Sequence, residues 1–175
     1  VNLQGAIDLI RKIPDYPKPG IVFLDITPLL ASAPALLSVT EEFAKATTDS
    51  EVIVGIEARG FIFAAALAAH SNKGFIPLRK KGKLPFTTYS QSYELEYGVD
   101  SLEVHTDAFK RSQRVGIVDD VLATGGTICA AIELAQKSGA IVDCVVVLIE
   151  IIDLAGRKRI SEKYPDVRII ALVGN

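Results

Sequence analysis

Short runs that are apolar almost throughout punctuate this chain, and they exclude most folds. Val52 to Ile56, Phe75 to Leu78, Arg114 to Val118, the β-branched run Val142 to Ile149, and Val167 to Leu172 each read as a strand. A strand with one face in water alternates apolar and polar residues; one that does not alternate must be covered on both sides. Helical patterns fall between these runs, at Gly60 to Ala69, Thr127 to Lys137 and Leu154 to Lys163. The alternation predicts an α/β protein with a central, mostly parallel sheet flanked by helices. In such sheets ligands bind beyond the carboxyl ends of the strands. With 175 residues, 49% of them hydrophobic, the chain can bury the core of one domain, read here as residues 1–175.

Two stretches break the alternation. Residues 1–33 hold a short amphipathic helix, Leu3 to Ile13, then Pro14, Pro17, Pro19 and Gly20, then the mixed run Ile21 to Leu30. This is read as a small hood segment capping the cleft. Residues 79–100 are basic, then aromatic and polar, ending in the alternating pattern Tyr93-Glu94-Leu95-Glu96-Tyr97. A long polar excursion in a compact domain is usually functional, so this is read as a mobile hairpin loop.

Composition removes several classes of function. A net charge of −2 gives no reason to expect nucleic acid or a membrane surface as partner. Cys129 and Cys144 lie in apolar contexts and predict buried, reduced thiols rather than a disulfide framework. The absence of a membrane-spanning run or a signal-peptide pattern predicts a cytoplasmic protein. Neither His70 nor His105 has neighbours that suggest a metal site.

The most informative stretch is residues 115–127, Val-Gly-Ile-Val-Asp-Asp-Val-Leu-Ala-Thr-Gly-Gly-Thr. A buried strand ends in two carboxylates, Asp119 and Asp120, and Ala123-Thr124-Gly125-Gly126-Thr127 then turns the chain into an apolar helix. Glycines let the backbone approach a ligand, and a helix start leaves N–H groups without partners. Those donors and the positive end of the helix dipole suit an anion. A simple strand-to-helix turn would account for one Thr and one Gly, but not for the paired acids. Neither the Walker phosphate loop nor the dinucleotide glycine pattern is present. A phosphate seat beside two acids suits a phosphorylated sugar, its hydroxyls donating to the carboxylates.

Residues 115–127 resemble the donor-binding signature of the type I phosphoribosyltransferases. The resemblance implies that family's fold, with an N-terminal hood and a flexible loop. It also implies that Asp119 and Asp120 contact the ribose hydroxyls, while Ala123, Thr124, Gly125, Gly126 and Thr127 wrap the 5′-phosphate of 5-phosphoribosyl 1-pyrophosphate (PRPP).

A second helix start, Glu57-Ala58-Arg59-Gly60, follows the strand Val52 to Ile56. Taken alone, an anion site and a surface ion pair between Glu57 and Arg59 are equally good readings. The resemblance favours the first, because the equivalent loop in the family holds pyrophosphate, often through unusual backbone geometry at the Glu57-Ala58 position. The basic cluster Arg79, Lys80, Lys81 and Lys83 is then a candidate pyrophosphate clamp.

Asp15 to Phe23, Glu57 to Phe61, Arg79 to Pro85, Leu95 to Gly98 and the donor signature occur in the order seen in adenine phosphoribosyltransferases. The likeness extends over nearly the whole chain. It implies that Phe23 stacks on adenine, that the backbones of Val22 and Leu24 read its Watson–Crick edge, and that Glu96 serves as acid/base with Tyr97 beside it. Glu96 and Arg59 are the candidate catalytic residues. Magnesium is expected with PRPP and pyrophosphate, through water or substrate and without a direct protein ligand set, and a homodimer is expected. Leu24 departs from the arginine common in relatives, and Phe86 from a glycine or polar residue. Two alternatives remain at this point. One is a sister enzyme for hypoxanthine, guanine or xanthine, disfavoured by the segment Pro19 to Phe23. The other is a non-enzymatic regulator binding RNA or DNA, for which an added basic face or nucleic-acid module would be expected and is not visible.

Overall fold

The computed structural model describes residues 1–94 and 98–174. The chain divides into two compact units, Val1–Phe43 and Ala44–Asn175.

The first unit begins with α1 (Leu3–Ile7), capped by Asn2, whose Oδ1 accepts from the Gly5 N–H at 2.9 Å. This helix stops well short of Ile13. Pro14 disfavours the helical region for the residue before it, and Arg11–Ile13 instead forms a strand, β1. β1 pairs antiparallel with β2 (Phe23–Asp25), matching Ile13 to Phe23 and Arg11 to Asp25. The Arg11 guanidinium bonds the Asp25 carboxylate at 2.6 Å. The turn between the strands is closed by the Asp15 carboxylate, which accepts from the Gly20 N–H at 2.7 Å. A short helix α2 (Thr27–Leu30) follows, then α3 (Ala33–Ala46), an element that the strand–helix alternation does not single out. Its buried residues Ala35, Val39 and Phe43 recur every four positions, one helical face.

The second unit contains the sheet. In chain order its elements are β3 (Val52–Ile56), α4 (Gly60–His70), β4 (Gly74–Lys80), β5 (Thr88–Glu94), β6 (Val99–His105), β7 (Arg114–Leu122), α5 (Gly126–Lys137), β8 (Ile141–Glu150), α6 (Gly156–Lys163) and β9 (Arg168–Gly174). The seven strands lie in the order β5-β6-β4-β3-β7-β8-β9. Strands β4, β3, β7, β8 and β9 are parallel, and the β5–β6 hairpin joins antiparallel along β4. The excursion after residue 79 thus extends the sheet through part of its length.

Every residue of β3 is buried, as its unbroken apolar pattern requires. Val52, Val54 and Ile56 join a cluster with Ile128, Ile132 and Leu134 of α5. On the opposite face, a Cβ on Gly55 would meet Ala64 of α4 and Phe75 at 2.7 Å each. At the amino-terminal end of the sheet, buried Asp143 of β8 pairs with Arg114 of β7 and, at 2.7 Å, with Arg168 of β9. Both cysteines are free and buried, and burial pushes the Cys144 thiol up to about 12. A thiol in that state is a packing group. No helix among the described residues is long and apolar enough to cross a membrane.

Candidate active site

Two strand-to-helix turns meet at the carboxyl ends of β3 and β7, which are neighbours in the sheet, Gly55 lying opposite Val118. The first turn, Glu57 to Arg59, contains a cis peptide between Glu57 and Ala58. It leads into α4 at Gly60, where no side chain fits: a Cβ there would lie 2.8 Å from Asp119 Oδ1 and 2.9 Å from the Val118 carbonyl. This close approach is what seats the start of α4 on the end of β7. The requirement for Gly60 is therefore one of contact between distant segments.

The two acids sit inside β7 rather than after it. Backbone pairing with β8 carries the strand on to Leu122, with Asp119 opposite Val147 and Leu122 opposite Glu150. Successive side chains of a strand point to opposite faces, so adjacent acids have different surroundings. Asp119 is half-buried and lines the cavity beside the second turn. Its carboxyl is held well above the usual range, first by burial and then by the neighbouring Asp120 charge; the Asp120 N–H and Arg59 oppose this. Asp120 is buried and forms an ion pair with Arg59, Nε to Oδ2 at 2.8 Å. Arg59 thus reaches Asp120, while Glu57 meets cations further along the chain.

Glu57 instead gathers the basic segment. Its carboxylate accepts from Arg79 Nε at 3.2 Å, the Lys80 N–H at 2.8 Å and Lys83 Nζ at 2.5 Å. Burial works against its charge, but the bonds from Lys83, Arg79 and Lys80 outweigh it and bring the carboxyl down to about 2. Lys80 turns its ammonium elsewhere, to Asp100 at 2.5 Å and to the Tyr93 hydroxyl. The candidate clamp Arg79, Lys80 and Lys83 is therefore pre-set on carboxylates of the protein itself.

The second turn, Ala123 to Thr127, leads into α5. Gly125 is the N-cap residue and adopts φ 80°, a left-handed conformation that favours glycine, and no side chain caps the helix. The first turn of α5 borders a cavity of about 70 Å³ lined by Asp119, Val121 and Ala123 to Ile128. That is room for several waters, the scale of a phosphoryl group. Gly126 also approaches the end of β5: a Cβ on it would lie 3.3 Å from the Glu94 carbonyl.

A family model of the phosphoribosyl transferase domain matches residues 30–173. An adenine phosphoribosyltransferase from Roseiflexus sp. is 51% identical over 160 residues, spanning 90% of this chain and 92% of that one. One from Rhodopirellula baltica is 54% identical over 155 residues, 87% of this chain and 75% of that protein. The chain belongs to the adenine phosphoribosyltransferase family. Among solved structures of adenine phosphoribosyltransferases, that from Thermoanaerobacter pseudethanolicus superposes with a TM-score of 0.92 at 48% identity, covering 99% of this chain and 100% of the other. The Saccharomyces cerevisiae enzyme, solved with an imino-altritol bisphosphate and adenine, gives 0.91 at 31% identity, with 97% of each chain covered. The mostly parallel sheet and flanking helices are those of the type I phosphoribosyltransferase fold. As an adenine phosphoribosyltransferase, the protein is a pentosyl-transferring enzyme whose acceptor is adenine.

Of the residues singled out from sequence, Glu57, Ala58, Arg59, Gly60, Asp119, Asp120 and Ala123 to Thr127 come together at the two turns. Arg79 and Lys83 join them through Glu57. Val22, Phe23 and Leu24 belong to the first unit; Val22 is exposed, Leu24 is buried, and the Phe23 ring meets Tyr16 edge-on at 5.3 Å. Glu96 and Tyr97 lie outside the described residues. Sequence reasoning passed over the Arg59–Asp120 pair, the packing demand on Gly60, and Gly156, whose only signal is a glycine opening a helix.

Proposed function

We propose that this enzyme seats the 5′-phosphate of PRPP and of AMP on the amides of Ala123 to Thr127, with the ribose hydroxyls directed to Asp119 and Asp120. The observation that supports this is the uncapped start of α5, opening on a phosphate-sized cavity that Asp119 lines. Asp119 is the acid nearer the sugar in this reading, and Asp120 acts with Arg59. The Glu57 to Gly60 turn, with Arg79, Lys80 and Lys83, receives the pyrophosphate. Glu57, anionic at neutral pH, contributes by holding Arg79 and Lys83 rather than by touching an anion.

Phe23 stacks on the purine, the backbones of Val22 and Leu24 read its Watson–Crick edge, and Tyr97 lies beside it. Among the described residues β2 pairs in its sheet with β1 alone, which leaves its second edge outside that sheet. C1′ of the ribose loses pyrophosphate through an oxocarbenium-like state, and N9 of adenine attacks. Glu96 holds the proton at the imidazole side of the base. The protein's work is positioning, stabilising departing charge and excluding water. Asp119 and Asp120 offer hard carboxylate oxygens, the donor type that suits magnesium. Magnesium supplies neutralisation of the leaving group when it is bound, with Asp119 and Asp120 reaching it through hydroxyls or waters. The family likeness supports a cytoplasmic homodimer.

Pyrophosphate release measured with PRPP, magnesium and each purine in turn tests the reading. Release with adenine alone is expected; release with hypoxanthine or guanine in preference would refute it.

A further inference from the structure

The family match spans the stretch from Leu148 to Arg157, yet no step of the reaction uses it. Its last residues approach the phosphate turn more closely than side chains would allow. A Cβ on Gly156 would lie 2.2 Å from the Ala123 carbonyl oxygen, 2.8 Å from Leu122 Cδ1 and 2.9 Å from the Gly125 nitrogen. The demand is mutual, since a Cβ on Gly125 would lie 2.9 Å from the Gly156 oxygen and 3.2 Å from its Cα. Two backbones touch here, one of them the turn that lines the cavity.

Gly156 is held in place by the ends of two strands. Ile151 N–H donates to the Leu122 carbonyl at 2.9 Å, continuing the β7–β8 pairing past both strand ends. The chain then makes a short 3-10 turn, Ile152–Leu154, and Ala155 adopts φ 53° before α6 begins. Arg157, next in sequence, donates from Nε to both Glu150 oxygens at 3.0 Å and from Nη2 to Oε2 at 2.5 Å. Its Nη1 donates to the Ile169 carbonyl of β9 at 2.8 Å. Glu150 is the buried last residue of β8. One arginine thereby ties the first turn of α6 to β8 and β9.

We propose that Gly156, anchored by the Glu150–Arg157 pair, is a positioning residue that holds the Ala123 to Gly125 backbone in register for the 5′-phosphate. The inference rests on reading that turn as the phosphate seat. Gly156 touches no substrate and acts through the amides it supports.

The test uses the full chain. Gly156→Ala must move the turn by roughly 1 Å to relieve the contact with Ala123, and a misplacement of that size costs on the order of 10²-fold in rate. kcat/KM for PRPP should fall by that factor, with KM for PRPP and Kd for AMP by calorimetry both raised and Kd for adenine unchanged. Asp143→Asn, which removes a charge paired with Arg114 and Arg168 at the far end of the strands, is the stability control. It should lower Tm and leave KM for PRPP as it was. If Gly156→Ala does not fold, Arg157→Ala decides: a selective rise in KM for PRPP supports the proposal, and an unchanged KM overturns it. A folded Gly156→Ala with native affinity for PRPP and AMP overturns it, as does an Asp143→Asn that weakens PRPP equally. A wild-type protein that binds no AMP would instead overturn the phosphate-seat reading itself.

Discussion

Replacing Glu57 by glutamine removes one negative charge while keeping the size of a side chain that is 8% exposed. The structure allows the cost to be worked out. The carboxyl stands at about 2 against an ordinary 4.5, because bonds from Lys83, Arg79 and the Lys80 amide outweigh the burial that opposes its charge. At 1.36 kcal/mol for each pKa unit, that difference is about 3 kcal/mol before screening. Arg79 and Lys83 are 35% and 50% exposed, and water on them reduces the net value to about 1–2 kcal/mol. The native carboxyl binds a proton less readily than the unfolded one, so its contribution is complete above pH 4.5 and is lost as pH falls toward 2. Glu57→Gln should therefore unfold at lower urea than wild type at pH 7, by about 1–2 kcal/mol, and the gap should shrink to roughly half or less by pH 3. A gap of equal size at pH 7 and pH 3, or none at pH 7, would refute the reasoning.

The remaining expectations concern turnover. Asp119→Asn combined with Asp120→Asn should raise KM for PRPP and lower kcat while circular dichroism shows the fold retained; native kinetics would remove both acids from the site. Glu96→Gln should reduce kcat more than PRPP binding, whereas an equal loss of nucleotide affinity in calorimetry would make it a binding group. Phe23→Ala should weaken adenine binding by about 1–3 kcal/mol, as loss of a stacked aromatic does elsewhere, and native affinity would mean the base stacks on another residue.

The parts of the fold legible in the sequence are those decided by burial. β3 and β8 are apolar because both faces are covered, and that pattern survives without knowledge of any partner. Where hydrogen bonding decides instead, the reading stops early. The polar switch at Asp119 marks the end of the apolar run, but the strand continues to Leu122 because β8 still supplies backbone partners. Likewise Leu3 to Ile13 has an amphipathic pattern, yet Pro14 and the pairing with β2 turn its last residues into a strand. α3 carries a readable face in Ala35, Val39 and Phe43, but it stands outside the strand–helix alternation that marks the sheet.

The site divides along the same line. Residue types that carry chemistry, the paired acids and the glycine-rich turn, are visible because they are contiguous. Which charge meets which is not, because it depends on the directions imposed by the turn at Ala58. Glu57 and Arg59 are two residues apart, and the start of α4 sends one toward Arg79 and Lys83 and the other toward Asp120. Gly60 and Gly156 make the point most sharply. Each could be read as conformational freedom, but neither has a positive φ; each is required by a backbone or side chain more than thirty residues away, Gly60 by Val118 and Asp119, Gly156 by Ala123 and Gly125. In a sheet wound this way, the first residue of a helix that follows a strand lies where the neighbouring strand ends. A glycine there is a statement about that neighbour, and its replacement should be felt in the neighbour's chemistry.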